Sequence, residues 1–237
     1  MNQYPPPSPR AFNPATYGVR PAPALVQQLL LGAFGWMFAG LLLTAGVSFV
    51  VSTSAAITQG VASLWLPLLI GTFALAMVIQ AAINRVSPLV SLLLFFVYAA
   101  MMGLTIGVIV QIYTTESVAA AFLSSAGMFG GAAAYGAITK RDLSSIGGIM
   151  VMALIGLIVA MVVNFFLQST QVGWIISIIG VLLFVGLTAW DVQRITTGQY
   201  AAMVRSAERA SVLAALHLYL DFVNLFLFLL QLFGSRR

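Results

Sequence analysis

Seven long apolar runs occupy most of this 237-residue chain, at roughly residues 26–52, 61–83, 88–112, 117–139, 145–168, 171–192 and 212–233. A spanning helix needs about 20 apolar residues, and each run is long enough. A membrane β-barrel would alternate polar and apolar residues at every second position. These runs are continuous instead. The expected fold is therefore an all-α polytopic membrane protein, a seven-transmembrane-helix bundle over residues 25–237.

Charge supports this reading. Only 6% of the residues are Asp, Glu, Lys or Arg, against roughly 25% in a soluble domain. So few charges cannot clothe a water-facing surface, which excludes a soluble enzyme and a disordered chain. The net charge of +5 is spread along the chain rather than clustered, so no nucleic-acid partner is expected. The absence of cysteine and the single histidine exclude a disulfide framework and a structural zinc site.

Residues 1–24 differ from the rest. They hold seven of the nine prolines, from Pro5 to Pro23. Such a segment is extended and packs no core, so it reads as a Pro-rich disordered cytoplasmic tail.

The basic residues set the orientation. With the N-terminus inside, Arg10, Arg20, Arg85, Lys140, Arg141, Arg194, Arg205 and Arg209 all fall on the cytoplasmic side. Only Arg236 and Arg237 fall outside, at the extreme C-terminus. This is the positive-inside pattern. The Arg pair leaves two courses for the last segment, a full span or a re-entrant return. The linker at about 193–211 reads as interfacial or amphipathic.

Small residues recur at helical spacing: Gly32, Gly35 and Gly40; Gly103 and Gly107; Gly127, Gly131 and Gly136; Gly156 and Ala160. They read as seams where helices approach closely. The fourth run, with Gly130 to Ala134, is expected to be the most enclosed helix or to line a cavity.

Glu116, Asp142 and Glu208 fall in loops, which leaves two acids at membrane depth. An ionised group in hydrocarbon costs about 2.5–3.5 kcal/mol on insertion scales, so each needs an account. Asp191 lies at the inner end of the sixth run, three residues before Arg194. Asp221 lies about 13 Å into the seventh helix. His217, Asp221 and Asn224 share one face at i, i+4 and i+7, a possible polar network on an otherwise greasy helix. Arg85, at the inner end of the second run, can snorkel to the interface or pair with Asp191 or Asp221. If the two carboxyls touch, they titrate as a coupled unit. Such a pair could regulate a cation path by pH, its oxygens serving as weak ligands for a hard cation.

Trp190-Asp191 and the stretch from His217 to Phe226 resemble the Bax inhibitor-1 family of membrane proteins. The resemblance runs from about residue 26 to Gly234 and is that of a bacterial member, located in the inner membrane. The Leu-Tyr-Leu-Asp-Phe-x-Asn-Leu-Phe pattern is its most specific part, and Lys140-Arg141-Asp142-Leu143 adds to it. The resemblance implies a central last helix and a pH-sensitive calcium leak. It further implies Asp191 and Asp221 as pH sensor and gate, and as weak calcium ligands, with Arg85 as their partner. Some relatives carry a glutamate further along the second helix. The matching region here, Gly71 to Ala76, has no acid. No enzyme activity and no cofactor beyond transported or weakly bound calcium are expected. The alternative is a membrane-embedded regulator of a membrane protease, a role that some bacterial relatives have. An intramembrane aspartyl protease would place Gly-x-Gly before its second aspartate, where this chain has Leu218-Tyr219-Leu220.

Overall fold

A computed structural model describes residues 21–204 and 206–236. The Pro-rich tail therefore lies almost wholly outside the described residues, and its last members, Pro23 and Ala24, already belong to a helix. The helices are α1 (Pro23–Thr53), α2 (Ala55–Ser63), α3 (Trp65–Ala82), α4 (Pro88–Val110), α5 (Thr115–Ile138), α6 (Ser144–Leu167), α7 (Thr170–Thr196), α8 (Gln199–Met203) and α9 (Ala207–Phe233). Seven of them, all but α2 and α8, are long and apolar enough to cross a membrane. The chain is an all-α polytopic membrane protein.

The helix starts follow from local chemistry. Ser54, Ser87, Thr114, Ser169 and Ser206 stand just before α2, α4, α5, α7 and α9, and each accepts a backbone N–H from the first turn. These caps satisfy donors that the helix leaves unpaired. Pro88 sits in the first turn of α4, where its missing N–H costs nothing. α6 starts after Leu143 with no side-chain cap of this kind, and Asp142, one residue earlier, accepts Ser144 N–H at 2.9 Å. That backbone hydrogen bond holds the Asp142 carboxyl below its ordinary range.

The last helix is the centre of the bundle. Over the most apolar part of each span, 78% of α9 is buried inside the protein, against 17% of α3 and 11% of α6. α9 packs against α1, α7, α5 and α4. The Gly-rich α5 is not the most enclosed helix. With α1 and α7 it lines an apolar groove of about 540 Å³, bordered by Leu30, Phe34, Gly35, Ala133, Ala137 and Val192.

Tyr219 shows how α9 is held. Its ring is fully buried and meets Phe95 and Tyr98 of α4 edge to face, at 5.6 and 5.8 Å between centroids. Its hydroxyl donates to Thr44 Oγ1 of α1 at 2.6 Å, and Thr44 passes its own proton to Ala99 O of α4 at 2.9 Å. One phenol thus ties three helices and leaves no buried polar atom unpaired, as a low-dielectric interior requires.

The small-residue seams divide into two groups. Gly103 and Gly107 let α4 lie against α1, where a Cβ would meet Val47 Cβ at 2.8 Å and Val51 Cβ at 2.6 Å. Gly32 and Gly40 are filled by Ser211 and by Phe95 with Tyr219. Gly136 lies directly on the Ala189 carbonyl of α7. By contrast, Gly35, Gly127, Gly131 and Gly156 face open space, so they are not seams within this chain.

α9 runs through the bundle as one span, not a re-entrant segment. Beyond it, Ser235 O accepts Thr114 N–H at 3.0 Å and Ser235 N–H reaches Ser117 Oγ at 2.9 Å. The C-terminal strand of chain therefore lies at the α4–α5 turn. The basic loops gather at the other end, where Asn84 Nδ2 bonds Met203 O at 3.2 Å and Gln193 Nε2 bonds Arg141 O at 2.7 Å. Arg85, Lys140, Arg141 and Arg194 share that basic face, and Arg236 is on the opposite one.

Gly136→Ala is expected to force α5 away from the α7 backbone and to destabilise the protein by about 1–3 kcal/mol, the range for overpacking. Gly131→Ala, facing open space, should cost nothing. Thermal melting in detergent checks the contrast, and equal melting temperatures would refute it.

Candidate functional site

Asp191 and Asp221 come together where α7 crosses α9. Their residues are 5% and 4% exposed, so both carboxyls are out of water. The Asp221 carboxyl meets the side chains of Asp191 and Thr188. Its second oxygen, Oδ2, is buried and has no hydrogen-bond partner among the described residues. A buried orphaned oxygen is costly, and here it marks the point at which the site is chemically unfinished.

Asp191 is engaged through its Oδ1. Arg194, three residues on along α7, donates from Nη1 to Asp191 Oδ1 at 2.9 Å. Tyr200 donates its hydroxyl to the same oxygen at 2.7 Å. Arg194 is itself sandwiched, its guanidinium 4.7 Å from the Trp190 ring centroid and 4.4 Å from that of Tyr200. Such stacking on aromatic faces stabilises a partly desolvated cation. Trp190 is seated in turn against Gly147 of α6, where any Cβ would collide with the indole.

The expected partnership with Arg85 does not form. Arg85 is exposed in the turn between α3 and α4, and the ion pair of Asp191 is with Arg194. The reason is proximity: Arg194 is one helical turn from Asp191 on the same helix, whereas Arg85 keeps its head in water. Asn224 does not join the network either. It folds back onto Leu220 O at 2.8 Å on its own helix. His217 does join, with Nδ1 2.7 Å from Tyr200 Oη and Nε2 3.3 Å from Gln80 Oε1 of α3.

Tyr200 is the residue that sequence reasoning missed. It sits in the 193–211 segment, where α7 continues to Thr196 and α8 then folds against the bundle. The reversal depends on Gly198, whose φ of 74° is left-handed and would strain any residue with a Cβ. The turn delivers Tyr200 into the protein at 0% exposure. Burial, with the Asp191 carboxylate beside it, holds this phenol well above the ordinary tyrosine range. The available signal was the pair Gly198 and Tyr200 in a segment otherwise short of apolar anchors.

Among the described residues, no group of three or more His, Cys, Asp or Glu is arranged to hold a metal ion. Two carboxyls supply only part of the six to eight oxygens that calcium takes.

Arg194→Gln should leave the buried Asp191 carboxylate without its counter-charge, a loss of about 3–5 kcal/mol for a broken buried pair. Asp191→Asn in the same chain should recover most of it. Melting curves of the two single variants and the double variant check this, and additive losses would refute the pairing.

The family sequence model described as "Inhibitor of apoptosis-promoting Bax1" matches residues 26–237. The chain is 43% identical over 218 residues to "Inner membrane protein YbhL" of Escherichia coli K12, covering 90% of this chain and 93% of that one. It is 42% identical to an uncharacterized protein of Deinococcus radiodurans, over 89% and 92% of the two chains. It is 39% identical to the uncharacterized protein YrjE of Lactococcus lactis, over 85% and 88%. The chain belongs to the Bax inhibitor-1 family.

Proposed function

We propose that this protein is a pH-sensitive calcium leak, gated by the coupled pair Asp191 and Asp221. The observation that carries the reading is the contact of two buried carboxyls from different helices, one with an unpartnered oxygen, beside the most enclosed helix of the bundle. Two carboxyls in contact in a dry site resist being charged together, which favours a proton shared between them. Loss of that proton leaves two negative groups, which favours their separation or the arrival of a cation. Calcium is the fitting cargo: a hard cation bound by carboxylate oxygen. An incomplete ligand shell suits transit better than storage, since conduction needs binding weak enough to release.

The membrane is the bacterial inner membrane, in keeping with the printed description of the E. coli relative. Its cytoplasmic side is the basic face, by the positive-inside rule. Arg194, not Arg85, is the cation that steadies the pair.

Calcium flux into proteoliposomes tests this. The wild-type protein should pass calcium at a rate that changes between acidic and alkaline pH. Asp221→Asn, which cannot lose the shared proton, should abolish that change. Wild-type pH dependence in the variant would sink the gate assignment. Absence of calcium flux at every pH would favour the alternative, a non-conducting regulator that binds a membrane protease.

A further inference from the structure

Methionine is soft and apolar, and a membrane bundle hides most of its methionines from water-borne reagents. Among the described residues, every methionine but one lies on a helix long and apolar enough to cross a membrane. Met77, Met128, Met152 and Met161 have open side chains, but they are open on those spans, toward hydrocarbon. Met203 is the exception. It lies on the short helix α8, at the basic end of the bundle, and is 51% exposed.

Its sulfur also has a fixed neighbour. Arg194 Nη2 donates to Met203 Sδ at 3.1 Å. The guanidinium cannot easily turn away. Its Nη1 is committed to Asp191 Oδ1 at 2.9 Å and to Tyr200 Oη at 3.2 Å, and the Trp190 and Tyr200 rings hold its plane. The Met203 backbone is held as well, its carbonyl accepting Asn84 Nδ2 at 3.2 Å. A thioether sulfur has two lone pairs. Here one is engaged by a cation, which makes it a poor nucleophile, and the other is open. Attack through the open pair creates a sulfoxide of one configuration.

We propose that Met203 is a reversible oxidation site for hydroperoxides, and that Arg194 restricts the product to one sulfoxide epimer by holding the other face of the sulfur. The free lone pair attacks one oxygen of hydrogen peroxide. The O–O bond breaks as the S–O bond forms, and the departing hydroxide takes the proton of the transferred oxygen and leaves as water. Sulfur loses two electrons and the peroxide gains them. The product is a polar, chiral side chain where a flexible apolar one stood. Its oxygen is a stronger acceptor than sulfur, and it is created beside the cation that steadies Asp191. Each epimer has its own reductase, so one class of methionine sulfoxide reductase suffices to erase the mark.

The test treats the full chain in lipid nanodiscs with hydrogen peroxide, then digests it and follows each methionine by mass spectrometry. Met203 should oxidise faster than Met77, Met128, Met152 and Met161 by about tenfold or more, since susceptibility follows access to the reagent. Equal rates would overturn the site. The Met203 peptide is then divided between the two reductase classes, one for each epimer. One class should reduce nearly all of it, an excess of about tenfold, the factor that a single net hydrogen bond supplies. The same protein digested before oxidation should give both epimers equally, a control that does not depend on any variant folding. Arg194→Gln should keep the fast oxidation and lose the epimer excess. Equal epimers from the folded wild type would overturn the role of Arg194, as would an undiminished excess in Arg194→Gln.

Discussion

A carboxyl at the centre of a membrane bundle has to be neutral, paired or wet, and the rest of this structure is organised around that demand. Asp191 meets it with a guanidinium and a phenol. Asp221 meets it only in part, through Asp191 and Thr188. Each supporting group has its own support: Trp190 and Tyr200 sandwich Arg194, Gly147 makes room for Trp190, and Gly198 makes the turn that brings Tyr200 inward. An ionic site at this depth is bound to be elaborate, because each unpaired polar atom left behind costs more than it would at a wet surface.

The fold was legible in the sequence because hydrocarbon is a severe solvent. It admits few kinds of backbone, so continuous apolar runs identify spans almost without regard to detail. The two acids were legible for the same reason: a charge at that depth cannot be incidental. Their contact could be anticipated from their shared side of the membrane. What surrounds them could not. Arg85 and Arg194 both lie toward the basic face, and the choice between them depends on a reach of a few ångströms that composition does not encode. Asn224 sits on the expected face of α9, yet its own helix carbonyl at Leu220 satisfies it. Tyr200 was hidden because its neighbours look like any polar linker. The glycines were ambiguous for a related reason: close approach and open space require the same absence of a side chain, so Gly136 and Gly131 look alike until their neighbours are known.

The functional surroundings also separate two kinds of tyrosine on adjoining elements. Tyr219 and Tyr200 are both completely buried, and both hydroxyls are hydrogen-bonded. Tyr219 donates to a threonine that is itself committed to a backbone carbonyl, so its network ends in fixed groups. Tyr200 stands between an acid and an imidazole, so its network ends in groups whose protonation can change. The first is a fastening and the second a connection, and the difference lies in what each phenol's partner is able to do with a proton.

The short return of chain after α9 has a mechanical meaning. Ser235 binds Thr114 and Ser117 at one end of the helix, and Ser206 caps it at the other, next to the α8 turn. A helix tied at its C-terminal end to the α4–α5 turn and surrounded along its length behaves as an axle: sliding it lengthwise would break the Ser235 bonds and the packing around it. Movement is cheaper at the rim, where α3 packs chiefly on α4 and α6 chiefly on α7. By packing alone, the helix that carries Asp221 is the costliest to displace and the rim helices are the cheapest.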